Sequence, residues 1–282
     1  MYKSELQETK VESLPIASLE TLKILRNEMC SNKFSKLQSH QKFLRRILSP
    51  DSPTRSLLMV HGTGTGKTCS AIQIAEEYII RPEFQYSKVL VIANPPVQEN
   101  FRKQIFNTNN IYEDDDGLLL SKQCTGRRYL DMLQRIQKEP LRWSSPLVRQ
   151  RMSNISKKII DEFYEFQGYI EFANKLENEE QFNNNSEHIK NWIHKTYDNR
   201  IIIIDEAHNI KYSDESSVDI SKKISRALEI IIKTAHNITL ILLTATPMYD
   251  TYDEIIYYLN LFLWNDKKQD SNSSLQVSKI FD

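Results

Sequence analysis

Basic and acidic residues balance, 37 Lys plus Arg against 37 Asp plus Glu in 282 residues, so no net field draws the chain onto a polyanion, and any nucleic-acid contact must use local patches. With 40% hydrophobic and 26% charged residues, the composition is that of a globular protein able to bury a sizeable core. Cys30, Cys69 and Cys124 show no C-x-x-C spacing, which argues against a zinc site or a disulfide framework and fits a reducing, intracellular setting; no run approaches the ~20 apolar residues that span a bilayer, and no signal peptide opens the chain.

The segment before about Ser35, with Leu19, Leu22, Ile24 and Leu25, is expected to form a helical extension over 1–34. The first buried strand is predicted at Ser56 to Val60, short and apolar, and it runs into His61-Gly62-Thr63-Gly64-Thr65-Gly66-Lys67-Thr68-Cys69. Ala71, Ile72, Ala75, Tyr78 and Ile79 then keep helical spacing until Pro82, so the glycine-rich turn opens a helix. A second strand is predicted at Lys88 to Ile92.

From about 107 to 199 the pattern becomes that of a helical insertion. Asp114 to Gly117 is a loop, Val148, Met152, Ile155, Ile159, Phe163 and Phe166 form one long helical stripe, and the polar stretch Asn178 to Ser186 is expected to be a mobile loop. Basic residues Arg127, Arg128, Arg149, Arg151, Lys157 and Lys158 are best taken as a solvated helix face, since Asp161, Glu162 and Glu165 balance them. Four isoleucines, Ile201 to Ile204, then form a buried strand that ends in Asp205-Glu206-Ala207-His208. A stripe at Ile220, Ile224, Leu228 and Ile231 and a strand at Ile238 to Leu243 complete a strand-helix-strand unit, which requires a parallel sheet. The residues Asp266 to Ser274 are again polar. An α/β lobe over 35–265, followed by the start of a linker over 266–282, is the expected organisation.

The chemistry follows from the two strand ends. A phosphate chain needs several N–H donors at close range, which a turn built from Gly62, Gly64 and Gly66 allows, and the new helix adds its positive end. Lys67 can reach the β- and γ-phosphates, and the Thr68 hydroxyl can ligate magnesium. Asp205 suits the second magnesium ligand, and Glu206 suits the acid that orients and deprotonates an attacking water. ATP with Mg2+ is therefore the expected bound species.

At this point the chain resembles the DEAH-type ATPases of helicase superfamily 2. Gly64, Gly66, Lys67 and Thr68 match motif I, Asp205 to His208 match motif II, and Thr244-Ala245-Thr246 match motif III. The resemblance implies a P-loop, RecA-like fold, a coupling role for His208, Thr244 and Thr246, and an adenine contact from Gln41 in Leu37-Gln38-Ser39-His40-Gln41. Asn94-Pro95-Pro96 is similar to motif Ia, which follows the nucleic-acid backbone. His61, Leu242 through Asp250, Glu254 through Leu261, and Tyr164-Glu165-Phe166-Gln167-Gly168-Tyr169 resemble the helicase-like ATPases of nucleocytoplasmic large DNA viruses, including poxvirus nucleoside triphosphatase I and the early transcription factor small subunit. That narrower likeness implies DNA as partner, with RNA possible, a viral RNA polymerase or transcription factor nearby, and a setting in host cytoplasm, viral factory or virion.

Nothing after Leu261 matches motifs IV to VI, so a second RecA-like lobe, with its arginines, is expected to be missing and hydrolysis by this chain alone to be weak. Two other functions fit parts of the pattern: a nucleotide-gated module that binds nucleic acid or polymerase with little catalysis, and a P-loop ATPase unrelated to nucleic acid. Thr244-Ala245-Thr246 argues against the latter.

Overall fold

The four apolar runs form strands of one sheet, as expected, and Tyr164–Gln167 adds a fifth. The computed structural model describes residues 39–62, 64, 66–84, 87–116, 118–121, 123–136, 145–183, 185–210, 219–248, 252–270 and 273–275. Five strands, β1 (Ser56–Val60), β2 (Val89–Ile92), β5 (Tyr164–Gln167), β6 (Ile201–Asp205) and β7 (Thr239–Thr244), lie in the order β1-β7-β6-β2-β5, and every neighbouring pair is parallel. A separate antiparallel pair, β3 (Ile111–Glu113) and β4 (Leu119–Ser121), flanks the acidic turn at 114–116. The Asp114 carboxylate closes that turn by accepting the Leu118 and Asp116 N–H groups.

Strand side chains alternate between faces, and here both faces are buried. Ile201 and Ile203 join a core with Met59, Val89, Val91, Ile241 and Leu243 on one side, while Ile202 and Ile204 join Leu90, Ile92, Leu240 and Leu242 on the other. The first core is closed by α2 (Lys67–Ile79), α3 (Pro95–Ile105), α4 (Arg128–Ile136) and α5 (Pro146–Phe163). The second is closed by α6 (Tyr169–Phe182), α7 (Ser186–Tyr197), α8 (Asp219–Thr234) and α9 (Asp253–Asn265). A short helix, α1 (Ser39–Ile47), precedes β1. Each fully buried isoleucine contributes about 1.5–3 kcal/mol through loss of apolar surface to water, so four in a row fix β6 firmly in the centre.

Four expectations are corrected. The stripe from Val148 does not continue to Phe166: α5 stops at Phe163, and Phe166 belongs to β5, which pairs with β2. The segment 107–199 is mostly helical but supplies the fifth sheet strand and the small hairpin; aromatic residues spaced for a helix also fit a strand when only four residues are involved. Asn178 to Phe182 is not loop but the last part of α6, and Glu180 within it and Glu177 just before it pair with Arg226 and Lys223 of α8. Cys69 and Cys124 form a disulfide with Cα atoms 5.5 Å apart. Spacing rules detect metal ligands and disulfide-dense small domains, and cannot see one bridge spanning 55 residues.

The basic residues at 149, 151, 157 and 158 are exposed on α5, as expected of a solvated face. Arg128 differs, since it donates to Glu76 of α2 at 2.5 Å, an acceptor shared with the Tyr129 and Tyr164 hydroxyls. The expected N-terminal extension over 1–34, Leu37, Trp143, Tyr249, Asp250 and all of 276–282 lie outside the described residues. No described helix is long and apolar enough to cross a membrane.

Candidate nucleotide site and its surroundings

The C-terminal ends of β1, β7 and β6 stand side by side, so Thr244 lies between the strand that leads into the glycine turn and the strand that ends in Asp205. Two hydrogen bonds fasten these ends together. The His61 N–H donates to the Thr244 carbonyl at 3.2 Å, and His208 Nδ1 lies 3.2 Å from Thr244 Oγ1. The Thr244 hydroxyl donates to the Thr246 carbonyl at 3.0 Å and accepts the Thr246 N–H at 3.1 Å. Its single hydrogen is therefore committed, and His208 Nδ1 must be the donor in the pair. The same Nδ1 lies 3.4 Å from Glu206 Oε2, so His208 touches both the acid and the threonine.

The turn after β1 uses glycine where the backbone requires it. Gly64 and Gly66 have φ of 77° and 86°, a left-handed region that strains other residues. A Cβ on Gly66 would come within 3.0 Å of Gln41 Nε2, which places the buried Gln41 amide directly against the turn; around Gly64 a Cβ would meet nothing within 4 Å. Thr63 and Thr65 are outside the described residues. Gly62 and Gly64 are exposed, Thr68 and Cys69 are half-buried, and Lys67 is buried with its ammonium donating to the His61 carbonyl at 2.6 Å. Ser70, which sequence reasoning passed over, ties the first turn of α2 by donating to the Gly66 carbonyl at 3.1 Å. Burial depresses the His61 pKa, and the nearby His40 and Lys67 charges add to it, so its imidazole is held neutral.

Asp205 is buried, and that burial, reinforced by the neighbouring Glu206 charge, lifts its pKa to about 6. The Glu206 N–H donates to Asp205 Oδ1 at 3.0 Å. Glu206 sits at φ 60°, a conformation a glutamate adopts only when the surroundings enforce it. Two residues absent from the expected site do so. Asn209 donates its backbone and side-chain N–H groups to the Glu206 carbonyl at 2.9 and 3.0 Å, and the Tyr169 hydroxyl reaches the carbonyls of both Asp205 and Glu206. Tyr169 opens α6 within the segment already noted for its likeness to viral ATPases, but its target is a main-chain atom, which no side-chain pattern can indicate. Asn94 caps α3, with Pro95 and Pro96 in its first turn, and all three are exposed.

The family described as the Type III restriction enzyme, res subunit, matches residues 33–249. The chain belongs to this family. Its helicase-type domain places the protein in helicase superfamily 2, as motifs I to III imply, and makes it a helicase-like ATPase domain. Among similar proteins, a “Putative ATP-dependent RNA helicase” of Acanthamoeba polyphaga mimivirus is 26% identical over 294 positions, which cover 96% of this chain and 22% of that protein. A “Putative helicase” of Invertebrate iridescent virus 3 is 29% identical over 80% of this chain and 20% of its own length, and one of Frog virus 3 is 27% identical over 81% and 20%. These relatives are all proteins of large DNA viruses, and the chain spans only about a fifth of each.

Proposed function

We propose that this chain is the ATP-binding lobe of a nucleic-acid-dependent ATPase that converts ATP and water to ADP and phosphate and couples the reaction to movement on DNA or RNA, in viral transcription. The observation that carries the proposal is the joining of three strand ends through Thr244: its carbonyl holds the start of the glycine turn and its hydroxyl accepts from His208 of the acidic turn. A change at the phosphates is thereby one hydrogen bond away from the Thr244 to Thr246 turn.

The donor set fits magnesium nucleotide. Gly64 and Gly66 leave the turn open to close approach, and Thr68 and Asp205 are hard oxygen donors of the kind Mg2+ takes. When bound, the ion neutralises charge on the phosphate oxygens. Lys67 would donate to the β- and γ-phosphates, the N–H groups of Gly62 to Thr68 would cradle them, and Cys69 continues that helical turn. Gln41, against Gly66, would read the adenine. Glu206, fixed by Tyr169 and Asn209, would accept the proton of the attacking water, and His208 with Thr244 and Thr246 would relay the state of the site. In this scheme a second lobe would supply the remaining positive charge, and the residues described here are expected to hydrolyse ATP slowly without it. The viral relatives support a setting in the cytoplasm, viral factory or virion, and the word RNA in the mimivirus protein's name makes RNA a substrate to test beside DNA.

Single-turnover hydrolysis of labelled ATP, with duplex DNA, single-stranded DNA or RNA at two salt concentrations, tests this. We expect Mg2+-dependent ATP binding, slow product formation, stimulation by nucleic acid that weakens steeply with salt, and loss of binding in Lys67→Ala. Rapid hydrolysis that survives Lys67→Ala would overturn the assignment; tight ATP binding that alters nucleic-acid affinity without any product would favour the binding-module alternative.

A further inference from the structure

The N-terminal ends of β6 and β7, opposite the nucleotide site, carry a second polar cluster that this site does not use. His194 and Asp198 stand one helical turn apart at the C-terminal end of α7, just before β6, and His236 lies in the loop between α8 and β7. One ligand atom from each, a ring nitrogen of either imidazole and a carboxylate oxygen, fall within 4.8 Å of one another. Among the described residues this is the sole such grouping of histidine, cysteine and carboxylate side chains.

The two loops are joined independently of these side chains. Asn199 N–H donates to the His236 carbonyl at 3.0 Å, and the Asn237 amide donates to the Asn199 side chain at 2.8 Å. Both asparagines take left-handed backbone, at φ 52° and 54°, which this residue type tolerates better than most. The His236 N–H donates to Asp198 Oδ1 at 2.7 Å, and this fixes the carboxylate from outside, as a supporting hydrogen bond does around metal ligands. His194 Nδ1 lies 3.1 Å from both Asp198 oxygens, and His236 Nδ1 lies 3.7 Å from Oδ2.

An ion pair alone explains this arrangement poorly. The His236 side chain is 67% exposed, where a pair with a carboxylate contributes little, and two stacked imidazoles, 4.6 Å apart and 12° from parallel, repel each other if both are charged. Two neutral imidazole nitrogens and a carboxylate are instead the donor set of a borderline-soft divalent ion with one position left for water. We propose that His194, Asp198 and His236 bind a zinc-class transition-metal ion that staples the loop before β6 to the loop before β7. Since one ion cannot lie in the planes of two parallel rings, the exposed His236 ring must turn toward it, which its freedom permits.

Zn2+ titrated by calorimetry into the chelator-treated chain, in excess Mg2+ and without nucleotide, tests the proposal, with thermal melting in parallel. We expect one saturable Zn2+ site, weakened at least about tenfold by His194→Gln or by His236→Gln, unaffected by Lys67→Ala, and a Zn2+-dependent rise in melting temperature that His236→Gln abolishes. Because His236 is exposed, its substitution leaves the fold intact, and melting without Zn2+ checks this. Absence of a Zn2+ site, or a site that both histidine substitutions leave unchanged, overturns the proposal. ATP binding is measured separately, so failure here does not touch the nucleotide site.

Discussion

Strands β6 and β7 carry polar clusters at both ends, separated by roughly 16 Å of strand, and the clusters differ in how well the residues suit the backbone they occupy. At the N-terminal ends the left-handed positions are Asn199 and Asn237, a residue type that tolerates φ near 50°, and the two bond to each other. At the C-terminal end the left-handed position is Glu206, which does not suit it and is held there by Asn209 and Tyr169. Beside it, Asp205 is buried without a cationic partner strong enough to keep its pKa low. Where sequence and backbone agree, the structure is stabilised locally; where they conflict, rigid surroundings hold a reactive group in place, which is the usual signature of a working site.

The largest test of that contrast is chemical. Lys67→Ala should lower single-turnover ATP hydrolysis by about 10²–10³ or more, because one preorganised donor to developing charge is worth that much, while His236→Gln at the other end should leave hydrolysis unchanged. Next in size, Ile203→Ala removes a fully buried side chain from the strand that joins both clusters and should cost about 2–5 kcal/mol in urea denaturation, weakening ATP binding and the N-terminal loops together. If only one end responded, the strand would not be the common support that its pairing with β2 and β7 implies.

Why so much of the C-terminal end was legible in the sequence, and so little of the rest, follows from the same contrast. Glycines at 64 and 66, a Lys-Thr pair after them and acids after four isoleucines are side-chain requirements of the proposed chemistry, so the residue types alone point to that reading. The clamps on Glu206 act through carbonyl oxygens, which every residue has, and nothing distinguishes Tyr169 or Asn209 from other polar residues until the chain is folded. β5 is hidden for another reason: four residues are too few to show a period. The Cys69–Cys124 bridge and the His194, Asp198 and His236 grouping depend on contacts across 55 and 42 positions, to which local spacing is blind.

Acidity should act on the two ends with opposite sign. Glu165 on β5 receives hydrogen bonds from Lys175 and from Arg200, the residue that enters β6, and although burial alone would raise its pKa these bonds hold it at about 2. Its contribution is therefore complete above the ordinary value of 4.5 and lost as pH falls from there toward 2. Asp205 is the reverse: with a folded value of about 6 against 3.8, the native state holds the proton more tightly, so its contribution is present at low pH and is lost as pH rises from 3.8 to 6. Each is worth about 1–3 kcal/mol, with Glu165 at the lower end because it is one-third exposed. Urea midpoints measured across pH should flatten below 4.5 in Glu165→Gln and between 4 and 6 in Asp205→Asn; the same profile in all three proteins would contradict both assignments.

The smallest effect bears most directly on the difference between the two ends. Glycine at position 206 can adopt φ 60° without strain, so Glu206→Gly should raise stability by about 1 kcal/mol even as it removes the acid and stops hydrolysis. Asn199→Ala makes the opposite exchange: it places a residue less suited to φ 52° in a loop that was already satisfied, deletes the acceptor for Asn237, and should lower stability by about 1 kcal/mol with hydrolysis intact. Chemical denaturation of the two variants beside single-turnover assays would show stability and activity moving in opposite directions at the C-terminal end and independently at the N-terminal end. If Glu206→Gly instead destabilised the protein, the left-handed glutamate would be paid for by contacts of its own side chain, such as the one to His208, rather than held against strain by its carbonyl.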